Sequence, residues 1–227
     1  MVCVGTDLET SKQGIELARK HQGIWATVGL HPNDTDNFQF SIFNFQKLLE
    51  QPKVVAVGEV GLDYYRTPEP EKQKKQKEVF EQFIELAQKT KKPMILHFRD
   101  SPKGSSGRVH KDALEILPKN IAGVSHSFTG NIDEAKEYIS RGMYLGFNGI
   151  ITFARQYDEV VKRVPLGNIL LETDSPYLAP EPYRSRRNEP LYVKEVAKKV
   201  AELKNISIEE VIIKTTQNVI NLFKINI

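Results

Sequence analysis

The sequence predicts an α/β fold built on parallel strands, and two observations carry that prediction. Short apolar and β-branched runs alternate with longer segments of helical spacing along the whole chain. The strand runs are apolar almost throughout, without alternating polarity, as expected of strands covered on both faces. At 227 residues the chain suits a single domain over 1–227, long enough to bury a sizeable core.

Seven runs qualify as strands: Val2–Gly5, Ile24–Gly29, Val54–Val60, Met94–Phe98, Gly123–His126, Met143–Phe147 and Asn168–Thr173. The first helix is predicted over Thr10–Lys20, with Ile15, Leu17 and Ala18 as its apolar positions and Gly23 as its stop. Ser41–Glu50 carries Ile42, Phe45, Leu48 and Leu49. Glu71–Lys89 has the clearest periodicity, with Val79, Phe80, Phe83, Ile84 and Ala87 at three- and four-residue steps. Its first turns, Lys72 to Lys77 (KQKKQK), are expected to face water. Further helices fall over 109–117, 132–141, 156–163, 188–203 and 207–223, the last opening on Ser207 with Glu210 three residues on, a capping-box spacing. The stretch Ser101–Gly107 (SPKGSSG) is expected as a loop insertion. This alternation fits an open doubly wound sheet or a closed barrel. No G-x-G-x-x-G and no phosphate-binding loop follows the first strand, which removes the main support for a nucleotide-binding open sheet.

Composition narrows the function further. Thirty-two Lys and Arg against 29 Asp and Glu give a net charge of +3, which permits a polyanionic substrate without demanding an extended nucleic-acid groove. One cysteine, Cys3, excludes a disulfide framework or a Cys-rich zinc site within the chain. No run of about 18 apolar residues occurs, and no basic-then-apolar leader with a small-residue cleavage site is visible. A soluble, cytoplasmic protein without membrane association is expected.

The chemistry gathers where predicted strands end. The second run ends in Gly29-Leu30-His31-Pro32, the third in Gly58-Glu59 followed by Val60-Gly61-Leu62-Asp63, and the fourth in His97-Phe98-Arg99-Asp100. The fifth ends in Ser125-His126-Ser127 and the seventh in Leu171-Glu172-Thr173-Asp174-Ser175-Pro176. Three of the five histidines therefore stand at carboxyl ends of strands, while His21 and His110 read as surface or loop residues. In a parallel barrel those ends share one rim, so Glu59, His97, His126 and Asp174 would form a mixed nitrogen and oxygen site suited to zinc, manganese or magnesium. Taken singly, each has a structural explanation: a paired buried carboxylate, a core histidine, a turn cap. Together they require four separate explanations of that kind, and a metal site needs one. Such a site brings the pKa of a bound water down toward neutrality, and two metals would clamp the attacking and leaving oxygens of a phosphodiester. His31, in its Gly-x-His-Pro turn, is assigned to substrate contact.

Blocks along essentially the whole chain, VGTDLETS, VGLHP, VVAVGEVGLDYYR, PMILHFRD, HSFTG, LGFNGIITF, LLETDSPYLAP and PYRSRRNEP, resemble those of the TatD family of metal-dependent deoxyribonucleases, in the same order. The resemblance implies a TIM-type (β/α) barrel, a site for two divalent metal ions, and removal of nucleotides from DNA ends, with single-stranded RNA as a further substrate. It further implies that Glu59 bridges the metals, that His97 and His126 hold one, and that Asp174 holds the other and orients the nucleophilic water. Arg66 of LDYYR and Arg99 of HFRD become candidates for phosphate contact, where a guanidinium fork suits a bidentate grip. Family members open on a strand bearing His-x-His and a helix before the VGTD block. This sequence starts at MVCVGTD, so the first strand and helix are expected to be absent, seven strands to form, and nuclease activity to be impaired. Asn33 stands where the family often has another histidine. Two other functions share the sequence features: a metal-dependent ester or amide hydrolase, such as an aminoacyl-tRNA deacylase, and a non-catalytic remnant that binds nucleic acid or a partner chain.

Overall fold

In a computed structural model, residues 1–37, 42–101 and 108–226 are described. The predicted loop insertion beyond Ser101, and Ser41 at the start of the second predicted helix, lie outside the described residues. Seven strands form among the described residues, as the sequence predicts, and they alternate with helices in an α/β arrangement. The chain divides into two units, Met1–Gly123 with the segment from Leu222 on, and Val124–Asn221.

In the first unit the order is β1 (Val2–Cys3), α1 (Leu8–Lys20), β2 (Trp25–Val28), a 3-10 turn over Pro32–Asn37, α2 (Ile42–Leu49), β3 (Val54–Asp63), α3 (Pro70–Thr90), β4 (Met94–Arg99) and α4 (Arg108–Ile116). The strands pair in parallel in chain order. Helix α1 starts two residues earlier than expected because Asp7 caps it: its carboxylate accepts the Thr10 N–H at 2.7 Å, and the Thr10 hydroxyl takes the Asp7 N–H at 3.0 Å. The helix ends at Lys20, as predicted, with His21 as its C-cap; Lys53 Nζ donates to Ala18 O at 2.6 Å in its last turn and to Gln22 O at 3.0 Å just beyond it. Ala18, Val28, Phe45, Val57, Phe80, Phe83 and Leu96 are buried between strands and helices, with Phe45 and Phe83 edge to face at 5.0 Å.

Two expectations fail in this unit. The KQKKQK stretch does not all face water: Lys72 and Lys74 are exposed, but Gln73 and Gln76 are buried. Their spacing continues the apolar stripe of α3 backward, and their amide nitrogens find acceptors there; Gln73 Nε2 donates to Thr67 O at 2.8 Å and Gln76 Nε2 to Pro32 O at 3.1 Å. His110 is not a surface residue. It is buried on α4, edge-on to Phe98 at 5.9 Å, and burial lowers its pKa to about 4.

The second unit runs β5 (Gly123–His126), α5 (Ile132–Ser140), β6 (Tyr144–Phe147), α6 (Asp158–Arg163), β7 (Ile169–Leu171), α7 (Val193–Lys204) and α8 (Ile208–Phe223). Strands β5, β6 and β7 are parallel neighbours. Helix α7 begins at Val193 instead of 188 because Asn188 is tied elsewhere, its amide donating to Thr173 O at 2.7 Å and Tyr177 O at 2.6 Å. Pro190–Tyr192 forms a 3-10 turn before it, and Arg155–Tyr157 does the same before α6. At α8 the Glu210 N–H donates to Ser207 Oγ at 3.1 Å, the cap expected there. Phe128, Tyr138, Leu145, Phe147 and Val200 are buried in this unit. No described helix is long and apolar enough to cross a membrane.

Candidate metal centre

The site in the first unit is built on β3, which runs to Asp63, three residues beyond the predicted end at Val60. Residues Gly61, Leu62 and Asp63 register with His97, Phe98 and Arg99 of β4. Gly61 allows this approach. Its φ is +148°, and a β-carbon there would collide with the carbonyl oxygen of His97. Glu59 and Asp63, an even number of residues apart, can therefore flank the same histidine. His97 Nδ1 lies 2.7 Å from Glu59 Oε1, and His97 Nε2 lies 3.4 Å from Asp63 Oδ2.

His31 joins this group from the turn after β2. Its backbone N–H donates to Thr6 O at 2.7 Å, while the Glu59 N–H donates to Gly5 O at 2.8 Å, so the residues following β1 seat both. The Asn33 N–H donates to His31 Nδ1 at 3.2 Å, which turns Nε2 toward Glu59 Oε1 at 3.6 Å. The His31 and His97 rings meet edge to face with centroids 4.4 Å apart.

Asp63 is only 1% exposed. Burial alone would raise its pKa. The contact with His97, the Arg66 N–H at 2.9 Å and the Asn33 amide at 3.2 Å outweigh that effect and hold its carboxyl below the ordinary value. Gln76 completes the support. Its Oε1 accepts the Asp63 N–H at 3.0 Å, and its Nε2 donates to Pro32 O at 3.1 Å, linking the end of β3 to the turn that carries His31.

The second unit holds a similar arrangement around His126. Its Nδ1 lies 2.9 Å from Glu172 Oε2, and its Nε2 lies 3.4 Å from Asp174 Oδ1. Glu172 is fixed at its other oxygen by the Ser127 N–H at 2.6 Å, and the Asn148 amide donates to the Ser127 hydroxyl at 2.8 Å. Ser127 and Asp174 both have positive φ, 47° and 59°.

A divalent cation needs converging donors of suitable chemistry. Among the described residues, one group of three provides them: ligand atoms of His31, Glu59 and His97 all lie within 4.8 Å of one another. This imidazole and carboxylate set fits zinc or manganese. Of the residues predicted for the site, Glu59 and His97 come together here, and His31, predicted for substrate contact, lies in the same group. His126 and Asp174 come together in the second unit. Arg99 lays its guanidinium over the Tyr65 ring, 4.0 Å from the centroid, and Arg66 is exposed with its N–H on Asp63. Sequence reasoning missed Asp63, Asn33 and Glu172 as partners of these groups. The signal for Asp63 and Glu172 was present, since both are acidic residues within the quoted strand-end blocks.

The chain matches the family described as TatD related DNase over residues 1–224. It is 39% identical over 229 residues to the uncharacterized metal-dependent hydrolase YabD of Bacillus subtilis (strain 168), a match covering 100% of this chain and 88% of that protein. A protein of Cronobacter sakazakii (strain ATCC BAA-894) named 3'-5' ssDNA/RNA exonuclease TatD is 36% identical over 218 residues, covering 89% of this chain and 78% of its own length. The crystal structure of YJJV, a TatD homolog from Escherichia coli K12, aligns with a TM-score of 0.86 at 27% identity, over 99% of this chain and 86% of that one. That likeness identifies the α/β fold as the TIM type.

Proposed function

The chain belongs to the TatD family and is a metal-dependent hydrolase, and from that premise we propose that it cleaves phosphodiester bonds, removing nucleotides from DNA ends and from single-stranded RNA. The observation that carries this reading is the convergence of His31, Glu59 and His97. The Cronobacter relative named as a 3'-5' exonuclease for single-stranded DNA and RNA supports the choice of substrate.

Glu59 and His97, with His31 as third donor, would hold a divalent cation (zinc, magnesium or manganese) in the first unit. His126 and Asp174 would supply donors for a second cation. When bound, such a cation supplies Lewis acidity, stabilising charge on phosphoryl oxygens and acidifying a water. The protein's own groups do the rest. Asp63 fixes the ring orientation of His97, as a carboxylate behind a ligating imidazole does. Asp174 orients the attacking water and takes its proton. Arg66 and Arg99 grip the phosphate through charge-assisted hydrogen bonds.

The test is cleavage of a single-stranded oligonucleotide by the chain supplied with zinc, manganese or magnesium, against a chelated control and Glu59→Ala. Stepwise shortening that needs metal and Glu59 is expected. An intact oligonucleotide with all three cations, alongside metal-dependent hydrolysis of an aminoacyl ester, would replace this function with the ester hydrolase.

A further inference from the structure

Beyond the metal donors, the ends of β3 and β4 carry a feature that neither the fold nor the metal requires. Tyr64 and Tyr65 follow Asp63 directly and go opposite ways. Tyr64 is buried, and its hydroxyl donates to Asp112 Oδ2 at 2.6 Å, an oxygen that also lies 2.7 Å from Lys77 Nζ. Burial and the Asp112 carboxylate push the Tyr64 phenol pKa upward, so it remains a donor to that carboxylate. The Tyr64 N–H donates to the Arg99 carbonyl at 2.8 Å. With this turn fixed, Tyr65 is presented outward. It is 47% exposed, and the Arg99 guanidinium lies over its ring at 4.0 Å.

Arg99 follows His97 by two residues on β4, so both side chains leave the same side of the strand, about 7 Å apart along it. Tyr65 is not among the buried residues that form the core of this unit. An aromatic ring held half in solvent by an anchored turn, beside a phosphate-gripping arginine, has the chemistry of a base-stacking platform. A guanidinium stacked by its face keeps its N–H edge available for phosphate.

Resting on the nuclease reading above, we propose that Tyr65, sandwiched with Arg99, stacks an unpaired nucleobase adjoining the scissile phosphate. The substrate class is then single-stranded nucleic acid with an unstacked base at its end. A duplex end, whose bases stack on their neighbours, is a poor substrate.

The experiment compares a short single-stranded oligodeoxynucleotide with the same strand lacking the base beside the scissile bond, a tetrahydrofuran residue standing in its place. For the unmodified chain, the base should raise kcat/KM about tenfold, chiefly through KM. Tyr65→Ala should bring the base-to-abasic ratio to about one, and Tyr65→Phe should keep it, because stacking needs the ring and not the hydroxyl. A ratio that survives Tyr65→Ala, or a ratio of one in the unmodified chain, overturns the platform. Fluorescence anisotropy of the same two strands in chelator reads the stack without turnover. Base-dependent binding lost in Tyr65→Ala, from a chain that cleaves neither strand, would uphold the platform and overturn the nuclease. Equal binding of both strands by the unmodified chain would overturn the platform itself.

Discussion

Each unit clasps one histidine between two carboxylates, with nearly the same distances and different surroundings. His97 lies 2.7 Å from Glu59 and 3.4 Å from Asp63; His126 lies 2.9 Å from Glu172 and 3.4 Å from Asp174. The difference is water. Asp63 is 1% exposed and held by Asn33, the Arg66 N–H and Gln76, whereas the Asp174 side chain is 30% exposed. A carboxylate in a dry, fully hydrogen-bonded setting fixes geometry, and one open to solvent can exchange partners and protons. The same clasp therefore suits holding in the first unit and reacting in the second.

Glutamate substitution tests that division most severely. On the proposed reading, in which Glu59 is a charged metal donor, Glu59→Gln should cost about a thousandfold or more in metal-supported turnover. Glu172→Gln should cost only about 10–100-fold, as expected for a group that orients His126 from behind. Steady-state cleavage of one oligonucleotide by both variants decides, and equal losses would make the two clasps equivalent.

Glycine substitution separates the units by stability instead. At Gly61 an added methyl meets the backbone of His97, and φ is +148°, so neither residue can give way cheaply. Gly61→Ala should destabilise by about 3 kcal/mol in urea unfolding. At Gly146 the added methyl would meet Glu172 Oε2 at 2.5 Å, the far end of a flexible side chain. Gly146→Ala should shift unfolding by less than about 1 kcal/mol while releasing Glu172 from His126, so it should reproduce much of the kinetic loss of Glu172→Gln. A large stability loss at Gly146 would show the Glu172 contact to be rigid.

Much of this was legible in the sequence, because strand ends in a parallel fold are marked by the end of an apolar run. Glu59, His97 and His126 stand where such runs stop, and the seven strands follow from the same pattern. Asp63 was not singled out because Gly61 breaks the β-forming run, and only the packing of β3 against β4 shows that the strand continues through it. In Glu172-Thr173-Asp174, spacing cannot say which acid meets which imidazole nitrogen. That depends on a backbone turn with Asp174 at φ 59°. Gln73 and Gln76 look solvated beside four lysines, and they are buried against the turn before α3 at Thr67 and, for Gln76, the distant turn at Pro32.

His110 supplies the smallest effect and a control for both clasps, since it is a buried histidine held against Phe98 on α4. Its pKa falls to about 4 by burial, whereas in the unfolded chain it titrates near 6.5. Between those values the unfolded state binds a proton that the folded state refuses, so stability is full above about pH 6.5 and declines as pH falls toward 4. Integrating that difference gives a loss of about 2 kcal/mol between pH 7 and pH 5 from this one residue. His110→Gln, which cannot be protonated in this range, should flatten that limb of the stability curve even where it lowers the plateau. Urea unfolding of the chelated protein at both pH values checks this. An unchanged slope in the variant would mean that the acid sensitivity lies with other groups.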